Sequence, residues 1–401
     1  MKIFARNISY ILLLVFLFFF LTACERDYYN KILLTGAFTT VNSVELFTKK
    51  PLSEEELKTV KKEVNEILIG LDNVFNIQER VKGVEPDTVL YKVGKKAGVE
   101  PVKVSSEVIY VLKKALELSE ISKVKIGDEE VALFDPTIAP AWKEWDFPLR
   151  QYDILENNLI EEEEINEIKS NIEAIVNAGL IDYKKIIINE EESTVYLEKE
   201  GMEIDLGAIA KGYAADKVKE YLLNRGYTSA IINIGGNIQL VGDMLGKEYK
   251  IGIRTPYINW SNIRTDKKGN SLNYTFGTLM VIDKSVVTSG TYEKYMKDEF
   301  GTEYHHILNP NTGMPINNGV ISITVVTEQS ILADGYSTTL FALGLDRGME
   351  IVESTEEIET VWVVRNGDKK EVYISSGLED KFTFNENVQV EGYVYKGVYS
   401  I

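Results

Sequence analysis

A chain of 401 residues is too long for a peptide factor or a disulfide-stapled mini-protein and carries enough sequence for more than one domain's worth of core. Hydrophobic residues at 44% and charged residues at 26% are ordinary globular values and exclude wholesale disorder. The 44 Lys and Arg face 62 Asp and Glu, a net charge of −18, which excludes a sequence-independent nucleic-acid binder and means that a phosphorylated ligand needs a metal cation or well-aimed backbone amides.

Lys2 and Arg6 precede the apolar run Tyr10–Leu21, which is shorter than the ~20 residues of a bilayer span and has the length of a signal-peptide core. The run leads into Leu21-Thr22-Ala23-Cys24, which resembles a bacterial lipobox. Cys24 is the single cysteine, so no intramolecular disulfide is available and its thiol is the candidate for a lipid. The expectation is a leader over 1–23, a lipid-anchored tether over 24–35 and one body over 36–401. Such an anchor implies the extracytoplasmic face of a bacterial cell membrane, or the periplasm.

The body reads as mixed helix and strand. Ser53-Glu54-Glu55-Glu56 is a capping box, followed at helical spacing by Leu57, Val60, Val64, Ile67, Leu68 and Leu71. Ser106–Ser122 repeats that spacing, and a third helix runs from Glu161–Glu164, whose acids suit the helix dipole, to about Asn177. Lys185–Ile188 and Val195–Leu197 form a hairpin. Ile204–Leu206 reads as a short strand entering a glycine turn, then a helix to about Asn224. Strands are expected at Ala230–Ile234, Leu240–Val241, Tyr249–Ile253, Tyr274–Ile282 and Ile321–Val326. A helix over about Ile331–Leu343 and strands Thr360–Arg365 and Glu371–Ser375 close the body.

Four islands carry possible chemistry. Phe134-Asp135-Pro136-Thr137, with Trp142 and Trp145 after it, is an apolar run stopped by Asp-Pro, which by itself is a turn. Asp205-Leu206-Gly207-Ala208-Ile209-Ala210-Lys211-Gly212 is a small-residue turn opening a helix. It can aim free N–H groups at an anion, or its glycines can serve packing and capping; it is neither a P-loop nor a dinucleotide fingerprint. Thr288-Ser289-Gly290 precedes His305-His306, the only two histidines, and the turn Asn309-Pro310-Asn311-Thr312-Gly313. Neighbours on a strand face opposite ways, so one imidazole turns inward; the pair fits a structural role or a general base near pH 7. Asp334 and Thr338, one helical turn apart, fit a capped polar face or a site for a hard cation such as Mg²⁺.

The order F-D-P-T, D-L-G-x-I-A-K-G, N-x-G-G, T-S-G, H-I-x-x-P-x-T-G and A-D-x-x-x-T resembles that of the ApbE family of FAD:protein FMN transferases, over about residues 36–365. The resemblance implies an α+β fold, mixed sheets with packed helices in a two-lobed, T-fold-related body. It implies a Mg²⁺-dependent reaction in which a Ser or Thr hydroxyl of an acceptor protein attacks the FMN-side phosphorus of FAD, AMP leaves and FMN stays attached as a phosphoester. Acceptors of that family are membrane redox subunits and extracytoplasmic flavoproteins, and many of its members are lipoproteins. By the same resemblance, Asp334, Thr338 and the Ala208 carbonyl hold Mg²⁺, and His306 is the base. Phe38, Leu133, Phe134, Asp135, Asp205, Lys211 and Ile307 contact FAD. Asn309 stands where the family has Asp, Ala132-Leu133 where it has Gly-Ala, and Thr39 where it has Gly or Asp. FAD hydrolysis to FMN and AMP, and FAD storage, are the competing activities for the same residues.

Overall fold

The computed structural model describes residues 27–79, 83–147, 150, 159–257 and 263–400; the expected leader 1–23 and Cys24 lie outside the described residues. Among the described residues no helix is long and apolar enough to cross a membrane.

The architecture is α+β around one nine-stranded sheet. Its strands lie side by side in chain order: Tyr28–Leu34, Asn42–Thr48, Ala230–Ile234, Asn237–Val241, Ser285–Gly290, Val320–Thr327, Glu359–Asn366, Lys369–Ile374 and Tyr393–Val398. Every neighbouring pair is antiparallel except the last, which is parallel. The period-two alternation of a strand puts a different core on each face. Trp362 packs into the core with Leu340 and Phe341 of the helix Ser330–Leu343, whereas its neighbours Val361 and Val363 join Tyr249, Phe276 and Phe382 of a second, three-stranded sheet. That sheet runs Tyr249–Arg254, Thr275–Val281, Phe382–Phe384.

The long connection between strands 42–48 and 230–234 carries most of the helices. Glu54–Phe75 begins on the expected capping box, Ser53 Oγ accepting from Glu56 N at 3.2 Å and Ser53 N donating to the Glu56 carboxylate at 2.7 Å. It buries Val60, Val64, Leu68, Leu71 and Phe75. Ser106–Ile121, Glu162–Asn177 and Ala210–Asn224 form where periodicity places them.

Four differences from the sequence reading have plain causes. The stretch expected as a tether is a strand over Tyr28–Leu34, because Ile32 and Leu34 find a buried face when paired against Val44 and Asn42. Ile204–Leu206 is not a strand: its apolar side chains are buried, but its backbone pairs with no strand ladder. Ser285–Gly290 is a central strand, since its hydroxyls pair across the sheet, as in Thr288–Thr324 at 2.8 Å. The body closes not at Ser375 but at Phe382–Phe384 and Tyr393–Val398, strands whose alternation is short or broken by Gly397.

Candidate functional site

The site begins where two helices touch. Gly212, in the first turn of helix 210–224, donates its N–H to Asp334 Oδ2 at 2.9 Å. A Cβ at Gly212 would lie 2.2 Å from the Ser330 carbonyl oxygen and 2.8 Å from Asp334 Cβ, so only glycine lets the helices approach this far. As the third residue of its helix, Gly212 has an N–H that the helix itself leaves without a carbonyl, and Asp334 satisfies it from outside. Asp216, one turn further, accepts from Ser330 N at 2.8 Å and Ile331 N at 2.9 Å, capping helix 330–343 from outside. Burial pushes the Asp216 carboxyl up to about 6 despite these two bonds. Asp334 is likewise buried, and burial pushes its carboxyl up while Lys211, with Nζ 3.6 Å from Oδ1, pulls it down. Lys211 Nζ also donates to Gly207 O at 3.0 Å. Asp205 closes the turn, its Oδ1 accepting from Gly207 N at 2.7 Å, and its own N–H donates to Pro136 O at 2.7 Å.

That last bond ties the turn to the Phe134–Thr137 stretch. The Asp135 carboxylate faces inward: Oδ1 accepts from Thr137 N at 2.8 Å and Thr137 Oγ1 at 2.6 Å, and Oδ2 accepts from Tyr183 N at 2.9 Å. Burial pushes its carboxyl up to about 6. Asp135 therefore shapes the wall, and its two oxygens are already engaged.

The two histidines separate as alternation requires. His305 is buried against Phe341; its Nε2 donates to Ile316 O at 2.8 Å and its Nδ1 accepts from Ile307 N at 3.3 Å, so both ring nitrogens are satisfied internally. His306 Nδ1 lies 3.1 Å from Lys294 O. A carbonyl only accepts, so Nδ1 carries the hydrogen and Nε2 keeps a lone pair. Burial, then the charge of Lys294, pushes the His306 pKa down to about 3, leaving a neutral imidazole. The 309–313 turn is held by Asn309, whose Oδ1 accepts from Asn311 N at 2.9 Å, and by Asn311 Nδ2 donating to Ala132 O at 2.9 Å. An amide oxygen suffices for that turn, so Asn309 costs no turn geometry.

One cavity of about 810 Å³ brings all eleven candidate residues of the body together: Phe38, Leu133, Phe134, Asp135, Asp205, Ala208, Lys211, His306, Ile307, Asp334 and Thr338. Phe38 and Thr39 reach it through consecutive left-handed backbones, φ 55° and 51°. Sequence reasoning missed Arg254, Asn237, Glu293 and Lys294, which also line it. Burial, then Lys211, pushes the Lys294 amine down, so the polar wall carries two lysines inside an acidic chain. The signal for Lys294 was its place four residues after Thr288-Ser289-Gly290; nothing local marked Arg254. Among the described residues no three His, Cys, Asp or Glu side chains gather as a metal cage. Mg²⁺ needs no such cage: one carboxylate, neutral oxygens, water and substrate phosphates are its usual ligands. Asp334, Thr338 and the Ala208 carbonyl, which line the cavity together, fit that description.

The profile of the ApbE family matches residues 39–362. The chain belongs to the ApbE family. It is 26% identical over 361 residues to an FAD:protein FMN transferase of Vibrio cholerae, spanning 90% of this chain and 95% of that one. It is 26% identical over 374 residues to the enzyme of the same name from Treponema pallidum, 89% of each chain. A Klebsiella pneumoniae relative of that name is 37% identical over 185 residues, 46% of this chain and 53% of the relative. The fold matches the flavin transferase ApbE of Vibrio cholerae with a TM-score of 0.66 at 23% identity, over 89% of this chain and 99% of that one. It matches the ApbE protein of Thermotoga maritima with a TM-score of 0.64 at 22% identity, over 91% and 99%.

Proposed function

We propose that this protein transfers FMN from FAD to a Ser or Thr hydroxyl of an acceptor protein and releases AMP. The observation that carries the reading is the convergence in one cavity of a neutral imidazole with a free Nε2, two lysines and a buried carboxylate beside an oxygen-rich helix start. His306 is positioned to take the proton of the acceptor hydroxyl as its oxygen bonds to the FMN-side phosphorus. The bond from that phosphorus to the bridging oxygen breaks, and AMP carries away the electron pair. A pyrophosphate near Lys294 and His306 brings negative charge, which raises the low imidazole pKa toward what a base needs. Lys211 and Lys294 offset phosphate charge, and the inward Asp135 keeps the wall in shape. Asp334, Thr338 and the Ala208 carbonyl are the residues that would hold Mg²⁺. When bound, Mg²⁺ neutralises phosphate oxygens and the charge that builds on them.

The test is incubation of the protein with FAD, Mg²⁺ and a Ser/Thr-bearing acceptor domain, then a denaturing gel read for flavin fluorescence. A fluorescent acceptor band that EDTA and His306→Ala both abolish is the expected outcome. AMP and free FMN from wild type without acceptor, and no band with it, would replace the transferase by an FAD pyrophosphatase. FAD bound with no AMP would leave storage. Lipid attachment at Cys24 and a place on the extracytoplasmic membrane face complete the proposal, supported by the lipobox-like Leu21–Cys24. Partition of wild type, but not Cys24→Ala, into detergent phase tests it.

A further inference from the structure

The strand Tyr249–Arg254 is a sheet edge, and among the described residues no strand pairs with its outer side. Within its sheet it pairs only with Thr275–Val281, and Lys250 stands opposite Met280. Met280 turns its N–H the other way, to Lys381 O at 2.9 Å. Lys250–Met280 is therefore a non-hydrogen-bonded pair, and so, two residues along, is Gly252–Thr278. Thr255 agrees with this phase, its N–H running inward to Tyr274 O at 2.9 Å. The N–H and C=O of Lys250 and Gly252 thus point to the open edge, and no described backbone group takes them up. Lys250, Gly252 and Arg254 are all exposed, while Ile253 anchors the strand in the core.

This edge is not remote from the chemistry. Ile251, Gly252, Ile253 and Arg254 line the cavity that holds His306. Arg254 lies 3.3 Å from the Glu293 carboxylate and over the Tyr292 ring, and the next residue, Lys294, holds His306 by its carbonyl. An unpaired edge beside a cavity is the arrangement by which an extended peptide adds itself as a strand.

The geometry points to the edge Tyr249–Arg254 as the docking rail for the acceptor protein: an extended acceptor segment pairs with the outward groups of Lys250 and Gly252 and delivers its Ser or Thr hydroxyl to His306. Lys250 and Arg254 flank Gly252 in a chain of net −18, so the rail favours a segment bearing carboxylates over a basic one. This inference rests on the transferase reading. It adds how the second substrate is recognised, by main-chain pairing, with side chains selecting only the flanks.

The experiment uses a soluble acceptor domain that the wild-type protein labels with FMN. Lys250→Pro removes an N–H that no described residue takes up, and Lys250→Ala keeps it. Pairing predicts that Lys250→Pro lowers kcat/KM for the acceptor at least tenfold, that Lys250→Ala lowers it less than threefold, and that both bind FAD as wild type does. Equal labelling by the Pro and Ala variants overturns the proposal. A second measurement needs no variant. Amide hydrogen exchange of the wild-type protein with FAD and an acceptor whose target hydroxyl is replaced by Ala should slow at Lys250 and Gly252; unchanged exchange there overturns it equally. If wild type labels no acceptor at all, the transferase reading itself fails, an outcome distinct from labelling that ignores the edge.

Discussion

Gly212→Ala is the sharpest test of the helix contact on which the site rests. The added Cβ would lie 2.2 Å from the Ser330 carbonyl oxygen and 2.8 Å from Asp334 Cβ, both on helix 330–343. Ordinary contact lies at roughly 3.5 Å, so the helices must separate by about 1 Å. Overpacking of this kind costs ~1–3 kcal/mol. Separation also stretches the 2.9 Å bond from Gly212 N to the Asp334 carboxylate, and a bond to a charged group contributes ~1.5–3 kcal/mol. Alanine recovers ~1 kcal/mol of helix propensity. The net loss is about 1.5–5 kcal/mol, a fall of roughly 3–10 °C in Tm at the ~2 °C per kcal/mol of larger domains. Asp334 moves with the helix, so FMN transfer should fall more than tenfold even where the protein remains folded. Gly70→Ala is the control: a Cβ there meets nothing within 4 Å and should raise Tm slightly. Scanning calorimetry and the labelling gel read both quantities. A Gly212→Ala protein that melts within 1 °C of wild type and transfers FMN normally would refute the close approach.

Asp334→Asn keeps an oxygen for Gly212 N–H but removes the charge, so the fold should survive while Mg²⁺-dependent transfer falls by two orders of magnitude or more; Mn²⁺ binding followed by electron paramagnetic resonance should weaken in parallel, and undiminished binding would remove Asp334 from the metal site. Asp216 makes wild-type stability pH-dependent: its folded carboxyl, raised to about 6, takes up a proton before an unfolded Asp at ~3.9 does. Its contribution is therefore full below ~3.9 and lost as pH rises through about 6, so wild type should gain on Asp216→Asn as pH falls from 7 to 5; parallel denaturation midpoints across that range would contradict this. Lys294→Met leaves the backbone carbonyl that holds His306 but removes a charge that depresses its pKa, so FAD should bind more weakly while the imidazole pKa, followed by NMR, rises. An unmoved imidazole titration would show that the Lys294 charge does not help set that pKa.

Much of the scaffold was legible because its signals are local. The capping box at Ser53 and Glu56 and the apolar spacing of Val60, Val64, Leu68 and Leu71 specify a helix wherever the chain goes, since their partners are three or four residues away. Short apolar runs marked Ala230–Ile234 and the 360–365 strand in the same way. The order of short motifs, with His306 just before its turn and Asp334 one helical turn from Thr338, was enough to nominate the cavity's residues. Tertiary structure decided what each does. Asp135 and Asp205 both line the cavity, and the fold engages the Asp135 carboxylate with the Thr137 hydroxyl and the Thr137 and Tyr183 N–H groups, and one oxygen of Asp205 with the Gly207 N–H. Nothing in the sequence marks Asp216, whose partners are the Ser330 and Ile331 N–H groups, 114 and 115 positions along the chain. Tyr28–Leu34 read as a tether because an edge strand with alternate residues exposed needs its partner before its pattern has meaning. Gly212 and Asp334 stand 122 positions apart, and a contact of that separation is set by how the sheet crossovers bring the two helices together, which no periodicity along the chain encodes.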